Sequence, residues 1–268
     1  MSQLMWLASD GYNITRRNLI KIKRVPELLI WILMSPIMFV LLFAYVFGGS
    51  IEGPGGVNYR EFLIAGIFAQ TVVFGATYTG ASLAEDMQKG IIDRFRSLPM
   101  TRSAVVIGRT VSDVVYNVLS ITIMALTGLL VGWRINTSFW EAAAGFGLLL
   151  LFSYAFSWVL ASIGLVVPGP EVVNNASFMV IMPLTFISNA FVPSENLPTP
   201  LRIFAEWNPV SAVTQAARNL FGNVNPAAPV PDAWSMQHPE LYTLIWVAVL
   251  LVIFVPLSVN LYKKVAKK

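Results

Sequence analysis

The side chains of this chain that could do chemistry are spaced for binding and docking rather than for bond-making. Gln70, Phe74 and Tyr78 stand at i, i+4 and i+8, so one helical stripe carries an amide and two rings, suited to an amphiphilic ligand or to lipid. Ile91, Phe95 and Leu98 fall at i, i+4 and i+7, with Asp93, Arg94 and Arg96 around them. That is a small apolar stripe with a polar surround, the pattern of a helix that docks in a groove or rests on a membrane surface. Asp113 follows Arg109 by four residues, which reads as a local i,i+4 pair or as a proton site. Covalent chemistry finds little support. Serines are plentiful, but the one histidine, His238, sits in a Pro-rich stretch, so a Ser nucleophile has no evident base. Zero Cys and a single His remove thiolate and multi-His metal chemistry. No G-x-x-x-x-G-K-[ST] run occurs, so a nucleotide is not cradled by that means. The chain therefore reads as a non-enzyme that takes its energy from a partner or from an ion gradient.

The elements that position these residues follow from composition. Of 268 residues, 56% are hydrophobic and 12% charged, and the mean hydropathy is +0.67. Soluble domains carry about 25% charged residues, so the expected solvent is a bilayer. A helix needs about 20 mostly apolar residues to cross it. Six stretches qualify, over 28–48, 62–84, 110–133, 142–167, 172–192 and 241–262, the third free of charge from Val114 onward. The first is expected to stay as an anchor, because basic residues precede it in bulk and its apolar run exceeds a signal peptide's. Basic residues cluster before span one (Arg16, Arg17, Lys21, Lys23, Arg24), between spans two and three (Lys89, Arg94, Arg96, Arg102, Arg109) and at the end (Lys263, Lys264, Lys267, Lys268); only Arg60, Arg134, Arg202 and Arg218 lie on the other side. This asymmetry predicts both termini in the cytoplasm. The basic balance is thus topological and calls for no nucleic acid.

Three connecting segments stand out. Residues 1–27 carry Tyr12, Thr15, Leu19 and Ile22 on one face and Arg17, Lys21 and Arg24 opposite, which predicts an amphipathic helix in the inner interface. The loop from Glu85 to Arg109 is long enough for a helix, which Pro99 would stop. Residues 193–240 form an extracytoplasmic segment, in which 201–221 reads as a helix broken at Asn208-Pro209. It could be re-entrant or lie on the outer surface. Among the polar residues within spans, Asn174 with Phe178 on the fifth joins Gln70, Phe74 and Tyr78 as candidate path residues; interhelical bonding is the other use of such groups.

Glu85, Gly90, Leu98-Pro99, Arg102 and Gly108-Arg109 appear in order, leading into span three. Met182-Pro183-Leu184, Ser188-Asn189-Ala190-Phe191-Val192-Pro193, Asn196-Leu197-Pro198, Asn208-Pro209 and Arg218 follow in the second half. This ordered set on six spans resembles the permease subunit of type-2 ABC transporters, and is similar to drug-export permeases of the daunorubicin/doxorubicin-resistance kind. The resemblance implies an all-α permease, 1–268 as one transmembrane domain, in a bacterial inner membrane. It implies a dimer of permeases on two cytoplasmic ATPase subunits, which bind ATP and Mg; no cofactor is expected in this chain. The loop helix becomes a coupling helix, with Glu85, Gly90, Ile91, Phe95, Leu98, Pro99 and Arg102 as candidate ATPase contacts. The expected cargo is an amphiphilic or hydrophobic small molecule. A lipid-linked glycan or envelope lipid is the alternative cargo, and an ion-gradient-driven carrier or channel the alternative class.

Overall fold

The computed structural model describes residues 10–18, 20, 34, 37–47, 59–91, 102–225 and 231–265. Among these the regular structure is helical, with no strand. In chain order the helices are α1 (10–18), α2 (37–47), α3 (Tyr59–Gly75), α4 (Thr77–Gln88), α5 (Arg102–Leu130), α6 (Phe139–Gly164), α7 (Pro170–Phe186), α8 (Thr199–Trp207), α9 (Pro209–Phe221), α10 (Trp234–Gln237) and α11 (Pro239–Val265). Among the described residues four stretches are long and apolar enough to cross a membrane: Tyr59–Gln88, Ala104–Leu130, Phe139–Gly164 and Pro239–Lys264. At 1.5 Å per residue each exceeds the roughly 30 Å of hydrocarbon. They match the second, third, fourth and sixth predicted stretches. The first lies mostly outside the described residues, which include its later part as the apolar helix Ile37–Val46.

The predicted fifth span is shorter than its apolar run. α7 holds 17 residues and ends at Phe186, with the Ile187 N–H bonded to the Pro183 carbonyl at 2.8 Å. The cause lies in a distant side chain. Asn208 Nδ2 donates to the carbonyls of Leu184 (2.6 Å) and Ile187 (2.9 Å), closing the end of α7. Its Oδ1 accepts from the Val210 N–H at 2.8 Å and caps the start of α9. One asparagine therefore satisfies the orphan groups of two helix termini. Pro209 at the first position of α9 loses no bond there. Residues 187–192 are consequently not helical.

The long helix α6 is the hub, packing on α3, α4, α5, α9 and α11. It starts with a capping box, Ser138 and Glu141 exchanging bonds, and buries Leu149, Phe152, Ala155 and Leu160. Near its C-terminal end the backbone of α4 comes close enough to exclude any side chain. A Cβ on Gly164 would lie 2.2 Å from the Gly80 carbonyl oxygen, and one on Gly80 would lie 2.5 Å from that of Leu160. Small residues at such crossings let helices pack by dispersion where no hydrophobic effect operates between them. At the opposite end Phe68, Trp133, Phe146 and Phe221 form an aromatic cluster with edge-on pairs. The Trp133 indole N–H donates to Asn223 at 2.7 Å.

α1 is helical as expected, but its protein-facing side is Ile14 and Asn18, while Tyr12 points away, 68% exposed. The Thr15 hydroxyl donates to the Gly108 carbonyl (3.0 Å) and Asn18 to Ser112 (3.1 Å), both on α5. Arg17, assigned to the polar side, reaches Asp86 on α4 at 3.1 Å. Leu19, Ile22, Lys21 and Arg24 lie outside the described side chains. The segment 201–221 breaks at Asn208 as its sequence predicts. α9 is packed inside the bundle, and α8 leaves Leu201, Ile203, Phe204 and Trp207 exposed. In the Pro-rich stretch that holds His238, Trp234–Gln237 is a helical turn.

Candidate functional site

Four elements open a cavity of about 710 Å³ beside the hub, and Phe39 of α2 completes its wall. From α3 and α4 come Gln70, Phe74 and Tyr78; from α7 come Asn174, Phe178, Met182 and Phe186; from α5 come Asp113, Tyr116, Asn117 and Ser120. All five candidate path residues from the sequence line this one space. Gln70 is buried, while Tyr78 and Phe178 are 50% and 57% exposed at its mouth. The Phe74 and Phe178 rings lie 6.3 Å apart across the gap between α3 and α7. The volume suits a drug-sized molecule, and the lining is mostly apolar with a few convergent polar groups.

α5 supplies a polar face that the search for candidate path residues missed. Asp113, Tyr116, Asn117 and Ser120 recur at i, i+3, i+4 and i+7, a spacing visible in the sequence. Asn117 Nδ2 donates to the Asp113 carbonyl and to Ser153 Oγ of α6, both at 2.9 Å. Ser153 in turn donates to the Val72 carbonyl at 3.2 Å. This seam ties α3, α5 and α6 together behind the cavity. Asp113 is buried, its carboxylate hydrogen-bonded by the Thr79 hydroxyl and 3.4 Å from Arg109. The local pair predicted from the i,i+4 spacing is thus formed, though inside the protein. Arg109 also donates to the Tyr78 carbonyl at 3.2 Å.

A second site is the C-terminal end of α4. Glu85 pairs with Lys89 one turn on, and that carboxylate, by hydrogen bond and charge, holds the Lys89 ammonium above its ordinary pKa. Gly90 has φ +65°, the left-handed conformation that ends helices and that glycine adopts without strain. Ile91 follows, half-buried. Phe95, Leu98 and Pro99 lie outside the described residues, and Arg102 begins α5. The chain therefore leaves α4 through a sharp turn and returns into α5, and both flanking ends are fastened to α1.

A third arrangement holds the break after α7. Arg218 of α9 is fully buried. Its Nε donates to the Phe62 carbonyl (2.9 Å) and its Nη2 to those of Asn189 (2.8 Å) and Ala190 (2.9 Å). The guanidinium lies 3.5 Å over the Phe62 ring. The Tyr59 hydroxyl adds a bond to the Phe191 carbonyl at 3.1 Å. Irregular backbone at membrane depth requires such internal partners, and here a cation supplies them to the non-helical segment after α7.

The ABC-2 type transporter family matches residues 12–221, a range that contains α3 to α9 and the cavity. The daunorubicin resistance ABC transporter permease protein DrrB1 of Streptomyces coeruleorubidus is 33% identical over 247 residues, 92% of this chain and 83% of that protein. A protein of Mycobacterium tuberculosis named as a probable doxorubicin resistance ABC transporter permease protein, DrrC, is 21% identical over 247 residues, 92% of this chain and 86% of its own. With the family matched across most of its length and a permease relative at this identity, the chain belongs to the ABC-2 type transporter family.

Proposed function

We propose that this chain is the transmembrane subunit of an ATP-driven exporter that moves an amphiphilic or hydrophobic small molecule out of the cytoplasm or inner leaflet. The observation that carries the reading is the half-open cavity of about 710 Å³, in which Gln70, Phe74, Tyr78, Asn174 and Phe178 meet. Relatives named for daunorubicin and doxorubicin resistance support a drug or natural product as cargo. In this reading the chain crosses a bacterial inner membrane six times with both termini inside. It pairs with a second permease, and the two rest on two copies of a cytoplasmic ATPase that binds ATP and Mg.

The arrangement at the cytoplasmic end explains how docking could reach the cavity. The segment between Gly90 and Arg102 is the contact for the ATPase. α1 bridges its two ends, through Arg17 to Asp86 on α4 and through Thr15 and Asn18 to α5. A push on that segment therefore moves α4 and α5 as a unit, and both helices line the cavity. Tyr78 and Asp113 lie little more than about three helical turns from the ends of that segment.

The test is co-purification followed by transport. A C-terminally tagged chain drawn from its native membrane in mild detergent should bring an equal amount of a nucleotide-binding subunit. Vesicles holding the complex should export an amphiphilic dye only with ATP, with vanadate abolishing transport. Transport that survives ATP depletion and stops with an uncoupler would replace this reading with a gradient-driven carrier. Movement of a lipid-linked glycan or envelope lipid in place of the dye would keep the class and change the cargo.

A further inference from the structure

We propose that the outward face of α1 binds the headgroups of anionic phospholipids in the inner leaflet, with Arg16 receiving the phosphate. The leaflet rests on the reading that both termini lie inside; the lipid chemistry rests on α1 itself. Tyr12, Arg16 and Ile20 recur at i, i+4 and i+8, on the side of the helix turned away from the buried Ile14 and Asn18. Tyr12 is 68% and Ile20 40% exposed, and Arg16 is exposed between them. Among the described residues neither the Tyr12 hydroxyl nor the Arg16 guanidinium has a hydrogen-bond or ion-pair partner. Arg17, the next residue, is turned inward onto Asp86 at 3.1 Å. The Arg-Arg pair is thus divided, one guanidinium joined to α4 and its neighbour presented to the surroundings.

The helix lies at the depth where such headgroups sit. Its contacts advance along α5: Gly108 faces Gly11, Ile14 and Thr15, and Ser112 receives Asn18. The uncharged run of α5 begins at Val114, so Asn18 stands near the boundary of the apolar layer. Ile20 comes just after it, Arg16 is about 6 Å back along the axis, and Tyr12 about 6 Å further. An aliphatic group toward the acyl chains, then a cation, then a ring with a hydroxyl follows the order of hydrocarbon, phosphate and headgroup in a bilayer. Charge then selects among lipids. From Gly11 to Pro26 the sequence holds five basic residues and no acidic one. The ammonium of a zwitterionic headgroup therefore meets no carboxylate there, while an anionic headgroup keeps its full attraction. A docked protein fits the same face poorly, because three side chains bury far less than a stable interface needs.

The chain has no cysteine, so Asn13→Cys, at an exposed position beside Tyr12, carries a single fluorophore that reports on this face. The labelled full-length permease is placed in phosphatidylcholine nanodiscs with increasing fractions of a lipid bearing a nitroxide quencher near the top of its acyl chain. Nitroxide phosphatidylglycerol should quench at about fivefold lower mole fraction than nitroxide phosphatidylcholine. Adding Arg16→Gln should cut that ratio to about twofold or less, and Arg16→Lys should keep it, since an ammonium also meets a phosphate. Equal quenching by the two lipids would leave a face in lipid with no selection by charge and would overturn the proposal. No quenching by either would place the face in water or against protein, with the same result. A preference that survives Arg16→Gln would move the selection to the other basic residues of this flank and overturn the role of Arg16. None of these failures touches the export reading, because the measurement uses neither ATP nor dye. The leaflet is tested apart, by a membrane-impermeant maleimide added to intact spheroplasts of the Asn13→Cys variant, which should leave the thiol unlabelled. Labelling from outside would overturn the inner-leaflet assignment together with the orientation it rests on, while the lipid preference measured in discs would stand.

Discussion

Asn208 shows how much one side chain can settle in this fold. Its amide closes α7 and its carbonyl opens α9, and the two roles can be separated. Asn208→Ala removes both, losing an N-cap worth about 1 kcal/mol and leaving buried carbonyls unpaired at about 1–3 kcal/mol. Asn208→Asp keeps the acceptor for Val210 but puts a carboxylate against two carbonyls. Thermal unfolding in detergent should therefore rank wild type well above Ala, and Asp should bring no recovery. Recovery by Asp would mean that the cap on α9 carries the whole effect. Gly164 allows a companion measurement. Gly164→Ala drives a methyl into the Gly80 carbonyl and should cost about 1–3 kcal/mol by overpacking. Gly147→Ala on the same helix meets nothing within 4 Å and should be neutral or slightly stabilising, by up to about 1 kcal/mol from helix propensity. Equal unfolding temperatures for the two would remove the close crossing of α4 and α6 as a source of stability.

At the scale of elements, the sequence was legible wherever a helix carries its own instructions. The apolar runs of α3 to α6 and α11 announce themselves, and Asn208-Pro209 marks the break before α9. The end of α7 was not legible. Its apolar run continues to Val192, and what stops the helix is an asparagine more than twenty residues on together with an arginine, Arg218, whose acceptors lie on two separate segments. Period and composition hold no trace of such long-range bonds. The stripe on α3 and α4 could be read from the sequence, but that α5 faces it could not, because its polar residues served equally well as bonds between helices. The loop after α4 offers a direct test of docking. Phe95→Asp would place a charge in an apolar groove of the partner, at a cost of about 3 kcal/mol or more, or roughly a hundredfold in affinity. The variant should reach the membrane in normal amount, lose its co-purifying ATPase and lose export. Retention of the ATPase at wild-type yield would show that the Ile91, Phe95 and Leu98 stripe rests on lipid instead.

For the whole molecule, charge and packing must agree on one orientation. The cytoplasmic assignment of α1 and of the Gly90 turn rests on basic residues there and on those beyond α11, and α11 is the span least surrounded by other helices: Leu241, Leu244, Ile245, Val249, Val252, Ile253 and Leu257 are exposed along it. Its N-terminal end is held by the aromatic group of Trp207, Trp234, Tyr242 and Trp246, with the Tyr242 hydroxyl donating to the Trp207 carbonyl at 2.9 Å. Such rings favour a membrane interface, and the lysines favour the cytoplasmic side. Converting Lys263, Lys264, Lys267 and Lys268 to Glu should therefore set the two anchors in conflict. An isolated span with a reversed flank can be mis-inserted, but here the outer aromatic group is tied to α8, so the expected result is a mixed population rather than clean inversion. Accessibility labelling of a C-terminal tag in sealed vesicles should show a measurable population of chains with the tag outside or degraded, because the K/R bias at that flank is reversed. Labelling that stays entirely cytoplasmic would mean that packing of α11 on α6 and α9, set before the last lysines leave the ribosome, fixes its direction without help from charge.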